Sequence, residues 1–392
     1  MEMTQEQPPM SIPLTAVPLP PVRIAIVGYG NAGSRYAGLL ERGAISGAVL
    51  SAIVSRSAKQ SAPSATPLFS NLAALVAAQA ADAVIITTPH PSHPALAEEA
   101  ASAGLHVLVE KPLTVTIDEA RRLAALPSPH RQVRAVMLDR RTNPLWLHVR
   151  EEARSAAFGP LRRLGWTATG WLRTDAYYRS AAWRGTWSGE GGGVLINQAL
   201  HDLDLLVWIA GGLPKRVFAR ATFGRDHPIE TEDNVHALLE WDTGCLGHFV
   251  ASTGEAPGVQ RVELAGEGGL LQVENNSATI CRNATRTSEL LRTCPEAFPQ
   301  FQAPRAQQTF AADFGTTAAT IARFASACRG DPVPDLPTWD DALASVELAN
   351  ALVLSAETGA FVDLPLPAGA ATACLQRLQT GAMSRGQANR VL

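Results

Sequence analysis

Lysine is rare in this chain of 392 residues: of 33 basic residues only Lys59, Lys111 and Lys215 are lysines, and the rest are arginines. Lys111 stands in "LVEKPLTVT", Leu108 to Thr116, at the end of an apolar run. An ammonium is a compact donor whose pKa moves on burial, whereas a guanidinium is bulkier and stays charged. A lysine kept among arginines therefore points to a place that needs a small, tunable donor. A second polar group recurs at helical spacing. Asn197, His201, Asp204 and Trp208 fall at i, i+4, i+7 and i+11, beside an apolar stripe of Ile196, Leu200, Leu203, Val207 and Ala210. Buried polar groups need partners, so His201 is either a core histidine satisfied by Asp204 or a backbone carbonyl, or a histidine turned toward a site.

A third feature is "VGYGNAG", which sets Gly28, Gly30 and Gly33 in GxGxxG spacing after an apolar strand, with Asn31 and Ala32 opening the next helix. The first glycine permits a tight turn, and the second lets a pyrophosphate approach the backbone. The helix start then offers unpaired N–H groups and a positive dipole. A dinucleotide cofactor is the ligand this arrangement takes. An NAD site would place an acid at the end of the second strand, yet no Asp or Glu occurs between Glu41 and Asp82. The strand ends instead in Ser55 and Arg56, a hydroxyl and a guanidinium that can hold a 2′-phosphate, so NADP(H) is favoured over NAD(H). The plain alternative is a solvated surface arginine.

These residues need a scaffold, and its outline is legible. Residues 22–115 alternate apolar strands ("VRIAIVG", "AVLSAIV", "DAVIITT", "HVLVE") with helical patterns from about Ala32, near Leu72–Gln79 and near Ala95–Ala103, the rhythm of a parallel doubly wound sheet. From about Leu161 the strands alternate and are joined by glycine turns, as in "VHALLEWDTGCLGHFVAS", which predicts an antiparallel sheet. Helices are expected over "GGGVLINQALHDLDLLVWIAGG", Asp313–Arg329 and about Asp340–Thr358. The expected division is a disordered leader over 1–20, a dinucleotide-binding Rossmann domain over 21–142 and a substrate-binding and oligomerisation α/β domain over 143–392.

Composition narrows the partners. A net charge of −3 gives no electrostatic reason to bind nucleic acid or an anionic membrane, and no apolar run is long enough to span a bilayer. The five cysteines are scattered without a CxxC pair, which fits a reducing cytoplasm, and no histidine pairing has metal-ligand spacing.

Taken in order, the glycine loop, "TTPHPSH", "VLVEKPLTVT" and "GGGVLINQALHDLDLLVWIAGG" resemble the Gfo/Idh/MocA oxidoreductases, relatives of glucose–fructose oxidoreductase and inositol 2-dehydrogenase. The likeness runs from Val22 to about Pro367, and the EKP tripeptide is its most specific element. It implies a Rossmann domain, a second domain with an open, mainly antiparallel sheet, a homodimer or homotetramer, and hydride transfer between a nicotinamide and a polyol or keto-sugar. It further implies that Thr88, Pro89 and His93 border the cofactor, that Glu110 and Lys111 lie beside the nicotinamide with a cis Lys111–Pro112 bond, that Lys111 is the catalytic lysine and that His201 is the acid/base histidine. Inositol-dehydrogenase-like members carry Asp where this chain has Asn197, which can bind a hydroxyl but cannot accept a proton at neutral pH. The stretch "WLRTDAYYRSAAWRGTWSGEGGG" supplies Tyr178, Trp183, Arg184 and Trp187 as candidate substrate contacts, with packing as the alternative. Arg140, Arg141 and Asn143 resemble a family segment near the nicotinamide, with no individual roles assigned. Two rival functions share the resemblance: a glycosidase that uses NAD for transient oxidation, and a regulator that only senses dinucleotide.

Overall fold

The computed structural model describes residues 20–56, 65–128, 132–300, 303–312 and 315–388, with side chains through Gly381. Apart from Pro20, the expected leader lies outside the described residues.

Six strands form a wholly parallel sheet: β1 (Val22–Val27), β2 (Ala48–Val54), β3 (Leu68–Phe69), β4 (Ala83–Ile86), β5 (His106–Val109) and β6 (Arg134–Val136), in the order β3-β2-β1-β4-β5-β6. Ile24, Ile26, Val84 and Ile86 are fully buried, as strands covered by helices on both faces must be. The order reverses between β1 and β4, and in such sheets the crevice at the carboxyl ends of those strands is where ligands sit. The loops after β1, β2, β4 and β5 all open there.

Nine strands form the second sheet: β7 (Leu161–Ala168), β8 (Arg216–Phe223), β9 (Glu232–Glu240), β10 (Leu246–Ser252), β11 (Gln260–Gly266), β12 (Gly269–Glu274), β13 (Ser277–Arg282), β14 (Arg305–Thr309) and β15 (Val362–Asp363). Their order is β14-β13-β12-β11-β7-β10-β9-β8-β15, antiparallel throughout except for β7 against β10. The two halves therefore have the expected α/β architecture, a parallel Rossmann sheet followed by a mainly antiparallel one.

One apolar core joins them. It runs from Ala25, Val27, Val84 and Ile86 of the first sheet to Leu203, Leu206, Phe249 and Leu264 of the second half. The long helix Trp339–Thr358, started by a Thr338–Asp341 capping box, packs against helices Ile117–Ala124 and Leu200–Ala210 and against β8. The opposite face of the first sheet is closed by Tyr36 and Leu40, and by Ile321 and Phe324 of helix Thr316–Cys328, so a late segment returns to the first sheet. Asp313, the expected start of that helix, lies outside the described residues.

The helix expected over "GGGVLINQALHDLDLLVWIAGG" is two pieces. A π turn, Val194–Gln198, precedes the α-helix Leu200–Ala210. The backbone N–H groups of Gly193 and Leu195 donate to Glu232 Oε1 at 2.9 and 3.1 Å, which ties the turn to β9. Gly193 permits this approach, since a Cβ there would lie 2.0 Å from the Glu232 carbonyl oxygen.

Candidate active site

Each glycine of the β1 loop has its own constraint. Gly28 takes φ +97°, and a Cβ on it would sit 2.9 Å from Thr88. A Cβ on Gly33 would lie 2.2 Å from the Gly28 oxygen, so this glycine lets helix Asn31–Glu41 press against the strand. Gly30 caps that helix with no side-chain bond, and nothing lies within 4 Å of where its Cβ would be. The first-turn N–H groups thus face space rather than a capping oxygen, which fits a dinucleotide phosphate.

That space is a cleft of about 1470 Å³ lined by Gly28, Gly30, Asn31, Ala32, Ser55, Arg56, Thr88, Pro89, His93, Glu110, Lys111, Trp183, Arg184 and Asn197. His93 is fully buried behind its floor, Nδ1 2.8 Å from the Pro112 oxygen and Nε2 2.7 Å from the Thr88 oxygen. It pins the loop after β4 to the EKP segment. Burial holds the imidazole pKa below its usual value, against the pull of both carbonyls. The Lys111–Pro112 bond is cis, as the resemblance implies.

Lys111 is half-buried at the far end of the cleft. Its Nζ donates to the Asn197 main-chain oxygen and lies 3.5 Å from Asn197 Oδ1. Its own N–H donates to Glu110 Oε2 at 2.8 Å, while Glu110 Oε1 accepts from the Tyr36 hydroxyl. Burial lowers the ammonium pKa, and the Glu110 and Glu190 carboxylates oppose that shift. Burial in turn raises Glu110 and Glu190 above the usual carboxylate range.

A second cavity of about 600 Å³ lies beyond, lined by Asp139, Arg140, Trp171, Gln198, His201, Thr316 and Thr317 among others. Lys111, Asn197, Arg35 and Arg173 line both cavities. His201 Nε2 is 3.9 Å from Asp139 Oδ1, and its Nδ1 is buried with no hydrogen-bond partner among the described residues. Burial drives the His201 pKa down to about 3, with Asp139 raising it and Arg140 and Lys111 adding to the fall. The imidazole is therefore neutral at pH 7 and can accept a proton, with a carboxylate nearby to balance the charge.

Three sequence readings are displaced. Asp204 is not a partner of His201: it takes Nε and Nη2 of Arg141 at 2.9 and 2.7 Å. Trp208 packs under the guanidinium groups of Arg141 and Arg150. The break at Ala199 between π turn and α-helix separates Asn197 from the helix that carries His201, Asp204 and Trp208, so the four do not form one continuous stripe. Tyr178 lines neither cavity; it is buried, with its hydroxyl 3.3 Å from Thr253. Its neighbour Tyr177 faces the cleft instead, since helix Asp175–Arg179 turns successive residues about 100° apart. Trp187 is likewise buried away from both cavities.

Several residues near the site carried no sequence signal of their own. Glu190 accepts from Asn197 Nδ2 and, at 2.6 Å, from the Gly185 N–H. Tyr177 OH accepts from Asn197 Nδ2 at 3.1 Å. Asp139 accepts from the Thr316 and Thr317 hydroxyls at 3.1 and 2.8 Å. Asp139 directly precedes Arg140 in "DRRTNP", a segment expected near the nicotinamide, so its place in the His201 cavity was the one most open to inference. Among the described residues no His, Cys, Asp and Glu cluster could hold a metal ion.

Comparison with known proteins bears on the fold and the family. Residues 22–137 match the family model described as an oxidoreductase family with an NAD-binding Rossmann fold, and residues 146–272 match the GFO/IDH/MocA C-terminal domain. The chain is 25% identical to inositol 2-dehydrogenase of Rhizobium meliloti over 73% of this chain and 81% of that one. It is 31% identical to a 1-carboxy-3-chloro-3,4-dihydroxycyclohexa-1,5-diene dehydrogenase of Comamonas testosteroni over 44% of this chain and 42% of that one. With two of the curated relatives it aligns over less than half of their length. Among solved structures it is similar to the WlbA dehydrogenase of Bordetella pertussis in complex with NADH and UDP-GlcNAcA, at a TM-score of 0.72 and 26% identity over 88% of this chain and all of that one. With an NAD-binding Rossmann half followed by the matching C-terminal half, the chain belongs to the Gfo/Idh/MocA family of oxidoreductases.

Proposed function

We propose that this protein is an NADP(H)-dependent oxidoreductase that interconverts a secondary hydroxyl and a ketone on a sugar, cyclitol or sugar derivative. The observation that carries this is the meeting of the two cavities at Lys111 and Asn197, with neutral His201 in the second. Gly28, Gly30, Asn31 and Ala32 would hold the diphosphate, Ser55 and Arg56 the adenosine 2′-phosphate, and Thr88, Pro89 and Glu110 the nicotinamide side. The cofactor, when bound, supplies hydride exchange at nicotinamide C4.

The chain's own residues do the rest. His201 takes the hydroxyl proton in the oxidative direction and returns it in reduction. Lys111 Nζ donates to the same oxygen and stabilises the negative charge that develops on it. Asn197 orients the lysine through its main-chain oxygen and is itself held by Glu190 and Tyr177. Trp183 and Arg184, with the guanidinium 4.4 Å from the ring centre, line the cofactor cleft rather than the His201 cavity, so they would touch only a substrate that extends into the cleft. The preference for NADP(H) rests on the acid-free stretch after β2 and on Arg56 at the cleft, whereas the WlbA structure holds NADH. Residues 21–142 serve the cofactor, and 143–392 serve substrate and assembly. The second sheet exposes Leu238 and Leu246, which supports contact between copies as a homodimer or homotetramer. Five free cysteines fit a reducing cytoplasm. Among the described residues no helix is long and apolar enough to cross a membrane.

The test is a polyol and keto-sugar screen followed by nicotinamide absorbance. Stoichiometric NADPH formation with ketone product is expected. Hydrolysis of an aryl glycoside without net absorbance change, or cofactor binding with no turnover on any substrate, would contradict the proposal.

A further inference from the structure

The charges around the His201 cavity do not balance. Arg35, Arg42, Lys111, Arg140 and Arg173 line it against one carboxylate, Asp139. Asp139 is already engaged by two threonine hydroxyls. Arg140 gives Nη1 to Asp202 at 3.1 Å, but Asp202 is shared with the indole N–H groups of Trp166 and Trp171. Arg173 is the least compensated. Its Nη1 reaches only the Trp171 and Leu172 carbonyls, at 3.4 and 3.0 Å, its Nε is buried with no hydrogen-bond partner, and no carboxylate pairs with it among the described residues. The guanidinium lies over Trp171 and Tyr177, 5.6 and 5.1 Å from their ring centres. A half-buried, pre-oriented guanidinium with donors to spare is built to receive an anion in a forked contact. Arg173 borders the cofactor cleft as well as this cavity, but the cofactor diphosphate has its own donors at the Gly30 helix start, which leaves the guanidinium for the second cavity.

We propose that the substrate is an anionic sugar, whose carboxylate or phosphate is bound by Arg173 with Arg140 while its carbinol faces Lys111 and His201. This rests on the reading of Lys111 and His201 as the reacting pair and names the substrate class that site takes. A neutral polyol would leave the half-buried guanidinium without a counter-charge, whereas an anion offsets it and is drawn into the cavity by the surrounding cations. Because Arg173 and Lys111 line the same cavity, the anionic group belongs on the reacting sugar.

The experiment is calorimetric binding to the NADP(H)-saturated protein of three probes: a hexuronate, a hexose phosphate and the matching neutral hexose. At least one acid should bind about 10-fold or more tightly than the neutral sugar, with affinity falling as salt rises. A hexuronate preference identifies the carboxylate source, and a hexose phosphate preference the phosphate source. In Arg173→Gln the acid-to-neutral ratio should drop about 10–100-fold, and Arg173→Lys should recover part of it. If the glutamine variant fails to fold, the wild-type ratio and its salt dependence decide. Equal or tighter binding of the neutral hexose overturns the proposal, as does an unchanged ratio in a folded Arg173→Gln protein. Because binding is read without turnover, absence of hydride transfer on all three probes would count against the oxidoreductase reading alone.

Discussion

The ammonium of Lys111 donates to the main-chain oxygen of Asn197 and stands 3.5 Å from its side-chain oxygen, a contact made across 86 residues of chain. Lys111 follows the parallel sheet, and Asn197 sits in a π turn tied to the antiparallel one. The pair therefore fixes the seam where cofactor cleft and second cavity meet. The amide of Asn197 is committed to Glu190, so the lysine faces the carbonyl side of a residue that cannot swing away freely.

An aspartate at position 197 would bring a second carboxylate against Glu190, which burial already pushes upward. Two such groups cannot both ionise cheaply, so the pair should hold a proton to higher pH. The added charge should also raise the His201 pKa. Asn197→Asp should therefore shift the pH–rate profile upward by about one unit or more through the coupling of Glu190 to the introduced carboxylate, the His201 titration staying below that range. A profile identical to wild type would show that Glu190 does not sense this position.

His201, with its pKa held down to about 3 by burial, is neutral at any physiological pH, and the Asp139 carboxylate is what would balance a proton taken there. The kcat/KM of the oxidation should show no acid limb from this group above about pH 5. His201→Ala should reduce hydride transfer by roughly 10²–10⁴-fold, and Asn197→Ala by much less. Equal losses in the two variants would mean that the proton is not carried by the histidine.

Glu232 links pH to stability. Burial pushes its carboxyl up to about 7 from an ordinary 4.5, although it accepts the N–H groups of Gly193 and Leu195. A folded-state pKa above the unfolded one means that the native protein binds the extra proton. Its stabilising contribution is full below about pH 4.5 and is lost as pH rises through 7. Glu232→Gln keeps an amide oxygen for the turn and removes the titration. Relative to wild type, its melting temperature should therefore rise between pH 5 and 8, by the equivalent of up to roughly 3 kcal/mol. Parallel melting profiles across that range would refute this.

Arg56 borders the cleft at the end of β2. Arg56→Ala should weaken NADP(H) by on the order of 1–3 kcal/mol while sparing NAD(H), as expected for one charged hydrogen bond. Equal affinities for the two cofactors, unaltered by the substitution, would remove the 2′-phosphate assignment.

The parts of this molecule that were legible in its sequence are those set by local rules. Strand and helix periodicity in residues 22–115 is imposed by burial on both faces of one sheet, and the glycine loop by backbone geometry, so both could be read directly. Lys111 stood out because lysine is scarce. What escaped was set by contacts far apart in the chain. Asp204 looked like the partner of His201 until Arg141 claimed it, and Asp139 reached His201 from a different element. Periodicity could not announce the π turn, because Glu232 of β9 holds it. Tyr177 and Tyr178 are adjacent, and only packing against Thr253 decided which one is buried.

The most direct measurement returns to Lys111. Single-turnover nicotinamide absorbance should be followed in Lys111→Met and Lys111→Arg, beside an NADP(H) titration and a melting curve. The methionine keeps most of the side-chain length and deletes the donor, so folding and cofactor binding should persist while hydride transfer falls roughly 10²–10⁴-fold. The arginine keeps the charge but replaces a compact donor held at Asn197 with a bulkier planar fork that stays charged, and it should fail as well. An arginine variant with near wild-type turnover would show that charge alone suffices and would contradict the role given to this lysine.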